Sequence, residues 1–124
     1  MGDSGKDDGF WLYDLRIETV LDGRAPVCRH VEGESFRMQG ETLIFDAGTR
    51  VSAYALAALL PLLPAKQRMT DPNDWMSTDA EIACPDPHCG GRFRVVREGR
   101  RRFGHAGTTG LPDRRADPYW KDEA

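Results

Sequence analysis

No apolar run in this chain is long enough to span a membrane; the longest, Val51 to Leu63, is short and contains Pro61. The opening Met1-Gly2-Asp3-Ser4-Gly5-Lys6-Asp7-Asp8 has no apolar stretch of the kind a secretory signal needs. Lys6 stands where a myristoylation motif requires Ser or Thr after Gly2. Cysteine is scarce, and its count of three is odd. That argues against a disulfide framework and for reduced thiols in a cytoplasmic protein. There is no Gly-x-Ser-x-Gly elbow, no phosphate-binding glycine loop and no His-Glu-x-x-His, so the common hydrolase, nucleotide and metalloprotease signatures are excluded. A net charge of -3 weighs against a dedicated nucleic-acid binder. No internal repeat is visible.

What the chain does have is concentrated in Ile82-Ala83-Cys84-Pro85-Asp86-Pro87-His88-Cys89-Gly90-Gly91-Arg92-Phe93. Two cysteines and a histidine sit in a turn stiffened by prolines and closed by glycines. Soft and borderline ligands in such a turn suit zinc. The segment reads as half of a zinc ribbon, in which a Cys-rich turn feeds a hairpin, although ribbon knuckles space their cysteines by two residues.

With 124 residues, the chain fits one small domain. Residues 1–9 are too polar to bury anything and are expected to be disordered. Alternation over Trp11–Leu21, with Tyr13, Leu15, Ile17 and Leu21 on one face, predicts a half-buried strand. Asp22-Gly23-Arg24-Ala25-Pro26 breaks it, and the loop that follows carries Cys28 and His30. Ser35–Met38 and Thr42–Phe45 predict a hairpin. Ser52 is placed to cap a helix from Ala53 to Leu60 that is apolar nearly all round and should be the buried centre of the domain. Pro61 ends it, and a short helix to about Met69 follows. Asp71, Asp74 and Asp79 read as turn and cap residues, Trp75 and Met76 as pins onto the core, and Tyr54 as core. Phe93–Arg97 and Arg101–Phe103 flank Glu98-Gly99-Arg100 as a second hairpin. Residues 10–105 are thus one α+β domain: a small antiparallel sheet or partly closed barrel packed on one buried apolar helix, with a zinc-ribbon-like turn and hairpin. Residues 106–124 form a polar tail ending in the aromatics Tyr119 and Trp120.

Cys28 and His30 form the only other close Cys/His pair, so Cys28, His30, Cys84 and Cys89 make a four-ligand zinc set. A closed set of four is structural as a rule. His88 and His105 are alternative ligands. The competing reading makes the cysteines small apolar core residues. Arg92, Arg94, Arg97, Arg100, Arg101 and Arg102 face only one acid, Glu98, and read as a solvated hairpin face rather than a phosphate-binding one. Phe93 and Phe103 read as core-facing. Cys28 beside Arg29 and His30 is a candidate for a lowered-pKa thiolate, and in an enzyme Cys28 or Cys84 would serve as metal ligand or nucleophile beside the apolar helix.

The run from Cys28 to Phe103 resembles a family of small bacterial proteins known mainly as conserved hypothetical proteins. The likeness rests on Cys28-Arg29-His30 with Gly33 and Phe36, then Tyr54-Ala55 leading to Leu60-Pro61, Trp75-Met76, and Ile82-Ala83-Cys84-Pro85-Asp86 before a Phe-containing strand. It implies Cys28 and Cys84 as family features and no established activity. Members carrying a cysteine just before the aromatic-Ala pair differ from this chain, where Ser52 stands there and Cys89 is present instead.

The leading expectation is a zinc-stapled, non-catalytic accessory or interaction subunit of a bacterial enzyme complex, with a protein partner and no membrane association. A small metal- or cysteine-dependent enzyme and a nucleic-acid module on the Arg92–Arg102 stretch are the alternatives. The metal reading carries a tertiary claim: Cys28 and Cys84 should lie together.

Overall fold

The computed structural model describes residues 8–21, 31 and 33–112. Its frame is a five-stranded, all-antiparallel, open sheet of order β3-β2-β1-β5-β4. The strands are β1 (Gly9–Leu21), β2 (Ser35–Gln39), β3 (Thr42–Ile44), β4 (Glu81–Ala83) and β5 (Gly91–Gly104). Between β3 and β4 come the short helices α1 (Ala53–Leu59), α2 (Leu63–Lys66) and α3 (Trp75–Thr78), and a 3-10 turn at His105–Gly107 follows β5.

The period-two pattern that predicted β1 is real: Leu15, Ile17 and Thr19 are buried and alternate with half-buried Arg16, Glu18 and Val20. Tyr13 keeps to the core face, partly buried and packed against the core cluster, while Leu12 beside it is buried as well. The pairing with β5 carries a bulge at this point. Tyr13 pairs with Arg100 and Leu15 with Arg97, so Glu98 and Gly99 together face the single residue Asp14.

That bulge overturns the expected second hairpin. Glu98-Gly99-Arg100 carries turn chemistry, yet β5 runs straight through it from Gly91 to Gly104 and pairs with β1 along its length. A glycine inside a strand pattern marks a bulge as readily as a turn. The partly closed barrel is also overturned. The outer strands β3 and β4 hold three residues each and do not meet, so the sheet stays open. Such short outer strands offer little backbone for another chain to pair with.

The single buried central helix is corrected as well. Ser52 does cap α1, its Oγ accepting from the Tyr54 and Ala55 amides at 3.2 and 3.5 Å. The helix is only seven residues long, however, and buries just Ala55 and Leu59. Tyr54 is 81% exposed. Its apolar composition reflects alanines that need no burial, not a helix surrounded by protein. One layer of short helices covers one face of the sheet, where Ala55, Leu59 and Leu63 pack on Leu15, Ile17, Phe36, Met38, Phe93 and Val95.

The other face carries charge. Arg37 of β2 reaches Glu98 of β5 at 3.4 Å, and Arg16 of β1 reaches Glu98 at 3.2 Å and Glu18 at 2.6 Å. Arg94 of β5 continues the chain to Glu18 at 3.6 Å and to Glu81 of β4 at 3.1 Å. The network crosses four strands, but each exposed pair contributes at most about 1 kcal/mol. Its main effect is to keep this face wet.

Candidate functional site

Cys84 and Cys89 sit in the loop between β4 and β5. The Cys84 amide donates to the Gly91 carbonyl at 3.1 Å, continuing the β4–β5 ladder by one rung. The Cys89 amide donates to the Asp86 carbonyl at 3.0 Å, and the Asp86 carboxylate accepts from the His88 amide at 2.9 Å. These bonds wind the loop into a tight turn that carries both cysteines inward: Cys84 is 8% exposed and Cys89 2%. His88 points to solvent.

Cys28 and His30 lie outside the described residues. The described chain on either side of them is nonetheless well placed. Leu21, the last residue of β1, pairs with Gly91 beside the cysteine turn. On the return, Gly33 donates to the Thr19 carbonyl at 2.9 Å and Thr19 donates to that of Glu34 at 2.8 Å. Both ends of the Cys28 loop are therefore tied to the end of the sheet that holds Cys84 and Cys89. Among the described residues no group of three or more His, Cys, Asp or Glu is placed to hold a metal ion. His105 cannot complete one, because it follows the far end of β5. At about 3.3 Å per residue that end is roughly 40 Å away. Its Nε2 lies 3.1 Å from the carbonyl oxygens of both Leu111 and Pro112.

A polar clamp, missed in the sequence, fixes the α2–α3 segment to the sheet. Arg97 donates from Nε to the Lys66 carbonyl at 2.7 Å and from Nη2 to the Arg68 carbonyl at 3.0 Å and Thr70 Oγ1 at 3.2 Å. Its Nη1 reaches Ser77 Oγ at 3.4 Å, and its guanidinium lies over the Tyr13 ring at 4.8 Å. Lys66, 3% exposed, turns its ammonium onto the carbonyls of Met76 and Asp79. Burial lowers the Lys66 pKa from 10.5, the nearby Arg97 charge lowers it further, and Asp79 opposes both. One signal for the clamp was available. Arg97 continues the in-facing positions Phe93 and Val95 at period two, and an arginine there needs acceptors.

Beyond the bulge, β1 and β5 run on as a two-stranded arm past the end of β2. There the Phe10 and Phe103 rings stack at 5.8 Å. With Leu12 and Met38 they floor a cleft of ≈ 520 Å³, walled by the β2–β3 turn, the end of α2 and the 3-10 turn. The size is that of an ordinary ligand pocket. Gln67, 1% exposed, ties two of the walls together by donating from Nε2 to the Gly40 carbonyl at 2.8 Å. Phe93 is core-facing as expected, whereas Phe103 belongs to this cleft.

The arginines of β5 are largely occupied internally. Arg101 grips Asp14 through two bonds of 3.1 and 2.8 Å, which raises its pKa. Arg94 holds Glu18 and Glu81, Arg97 is the clamp, and Arg100 lies over the Trp11 ring at 5.3 Å. Asp71 and Asp74 accept from the amides of Asn73 and Met76, as turn and cap residues should. Trp75 is 76% exposed and does not pin its loop, a task that falls to Arg97 and Lys66.

Among the described residues, no helix is long and apolar enough to cross a membrane. The likeness to small conserved hypothetical proteins rests on motif order alone, for no family model, curated protein or solved structure matches this chain.

Proposed function

We propose that this chain is a non-catalytic accessory or interaction subunit whose sheet is stapled by zinc at its cysteine end. The observation that carries the interaction reading is the helical layer. Tyr54, Leu60, Met69 and Trp75 are 81, 41, 63 and 76% exposed, and all lie on the one segment that covers the core. Large apolar and aromatic side chains left outside a core are what a protein interface uses. The partner is another protein, a subunit of a bacterial enzyme complex.

Cys28, His30, Cys84 and Cys89 are the zinc ligands in this reading. Its support is the inward placement of Cys84 and Cys89 together with the tethering of the Cys28 loop to the same end of the sheet. A thin sheet with one short-helix layer gains from such a staple, since metal binding adds directly to folding stability. Elemental analysis of the purified chain should find one zinc per molecule, with binding lost in Cys84→Ser and thermal stability falling on chelation. A metal-free chain indifferent to chelator ends the zinc part. For the interaction part, a partner recovered from native cells should be lost with Tyr54→Ser/Trp75→Ser. Retention of that partner by the double variant would refute the surface named here.

A further inference from the structure

We propose that the cleft on the β1–β5 arm is the docking site of this chain's own aromatic segment, Asp117-Pro118-Tyr119-Trp120-Lys121, bound in the same molecule. Residues 113–124 lie outside the described residues, and the inference rests on the cleft, its charges and where the described chain leads.

The cleft has an aromatic floor in the stacked Phe10 and Phe103 rings. Aromatic side chains favour offset packing on such rings, and a Tyr-Trp pair offers the largest area for it. The charges of the cleft match the segment too. Glu41 and Arg68 line it, each one residue beyond the Gly40 carbonyl and the Gln67 amide that bond to each other. Arg68 donates from Nη1 to the Pro64 carbonyl at 2.8 Å, and among the described residues neither Glu41 nor Arg68 forms an ion pair. The segment presents an acid before its aromatics and a base after them, Asp117 for Arg68 and Lys121 for Glu41.

Connectivity favours the same molecule. Gly107 and Thr108, just before the described chain ends at Pro112, form part of the cleft wall. His105 Nε2 holds the Leu111 and Pro112 carbonyls at 3.1 Å, so the chain departs from the cleft's rim. From Pro112 to Trp120 an extended chain reaches roughly 25 Å, ample for a cleft that begins at its root. A short tether gives a weak contact a high effective concentration. The proposal holds or fails apart from the zinc staple, which sits at the opposite end of β1 and β5.

The test uses the full-length chain and NMR. We expect nuclear Overhauser contacts from the Trp120 indole to the Leu12 methyls and the Phe103 ring, unchanged on tenfold dilution. Tyr119→Ala/Trp120→Ala should shift the Leu12 and Met38 methyl resonances while leaving those of Leu59 in place. Arg68→Asp should weaken the contacts, and Asp117→Arg on that background should restore them. Absence of the contacts, or silent methyl resonances in the double variant, overturns the proposal. Contacts that fade on dilution, or that cross between differently labelled copies, overturn it in favour of docking between two molecules.

Discussion

Replacing Arg97 by Met tests the clamp most directly. The substitution keeps the length of the stem and removes the fork that makes four hydrogen bonds, two of them to the carbonyls of Lys66 and Arg68. A hydrogen bond to a charged group contributes about 1.5–3 kcal/mol when buried, and less where water can replace it. The Lys66 carbonyl and the Ser77 and Thr70 hydroxyls are part-buried, while the bond to the Arg68 carbonyl is exposed. The four bonds share one side chain and do not add, so we expect a loss of about 3 kcal/mol in urea unfolding, with the m-value unchanged. Arg97→Lys should recover about 1 kcal/mol of this, because an ammonium cannot serve acceptors spread around a planar fork.

A second readout separates the clamp from simple packing loss. The Lys66 pKa is lowered from 10.5, so between the folded value and 10.5 the unfolded chain binds more protons than the folded one. Stability therefore rises with pH across that alkaline window, and the penalty is fully present below it. Arg97→Met removes one of the two causes of the lowering, so the rise should shrink; Lys66→Met should abolish its own part of it. A loss under about 1 kcal/mol, with an unaltered alkaline slope, would refute the account of a charge-bearing clamp.

Two further outcomes follow from packing. Leu15 is fully buried at the centre of the sheet, and Leu15→Ala should cost about 3 kcal/mol by denaturant unfolding, within the range for a cavity that cannot collapse. Gly40 has φ +59° and an added Cβ would meet the Phe103 ring at 3.0 Å, whereas Gly48, at φ +87°, has open space around it. Gly40→Ala should therefore cost about 1 kcal/mol more than Gly48→Ala, and it should also perturb the Phe103 resonances at the cleft.

The parts of the fold that could be read in the sequence are those fixed by local chemistry. Alternation located β1, turn residues located the β2–β3 hairpin, and Ser52 announced its helix because an N-cap needs only its own neighbours. Where local chemistry permits two outcomes the sequence misled. Glu98-Gly99-Arg100 suits a turn or a bulge, and only the pairing of β1 along all of β5 selects the bulge. The helix at Ala53–Leu59 looked buried because alanine counts as apolar, yet alanine tolerates exposure at little cost.

The same division applies to the sites. The amino-acid sequence by itself determined the cysteine turn, whose bonds run between residues at most seven apart: the Cys89 and His88 amides both return to Asp86, and the Cys84 amide to Gly91. Only tertiary structure decided that the end of β1 lies beside that turn, since strand pairing places Leu21 opposite Gly91 across most of the chain. It also decided against His105 as a ligand, because a strand of 14 residues holds it far away. The clamp and the cleft belong wholly to tertiary structure. Arg97 finds its carbonyls, and Phe10 its stacking partner, only after β1 and β5 have paired and the helices have closed over them. Local propensity is a property of neighbours along the chain, and those contacts join residues that become neighbours by folding.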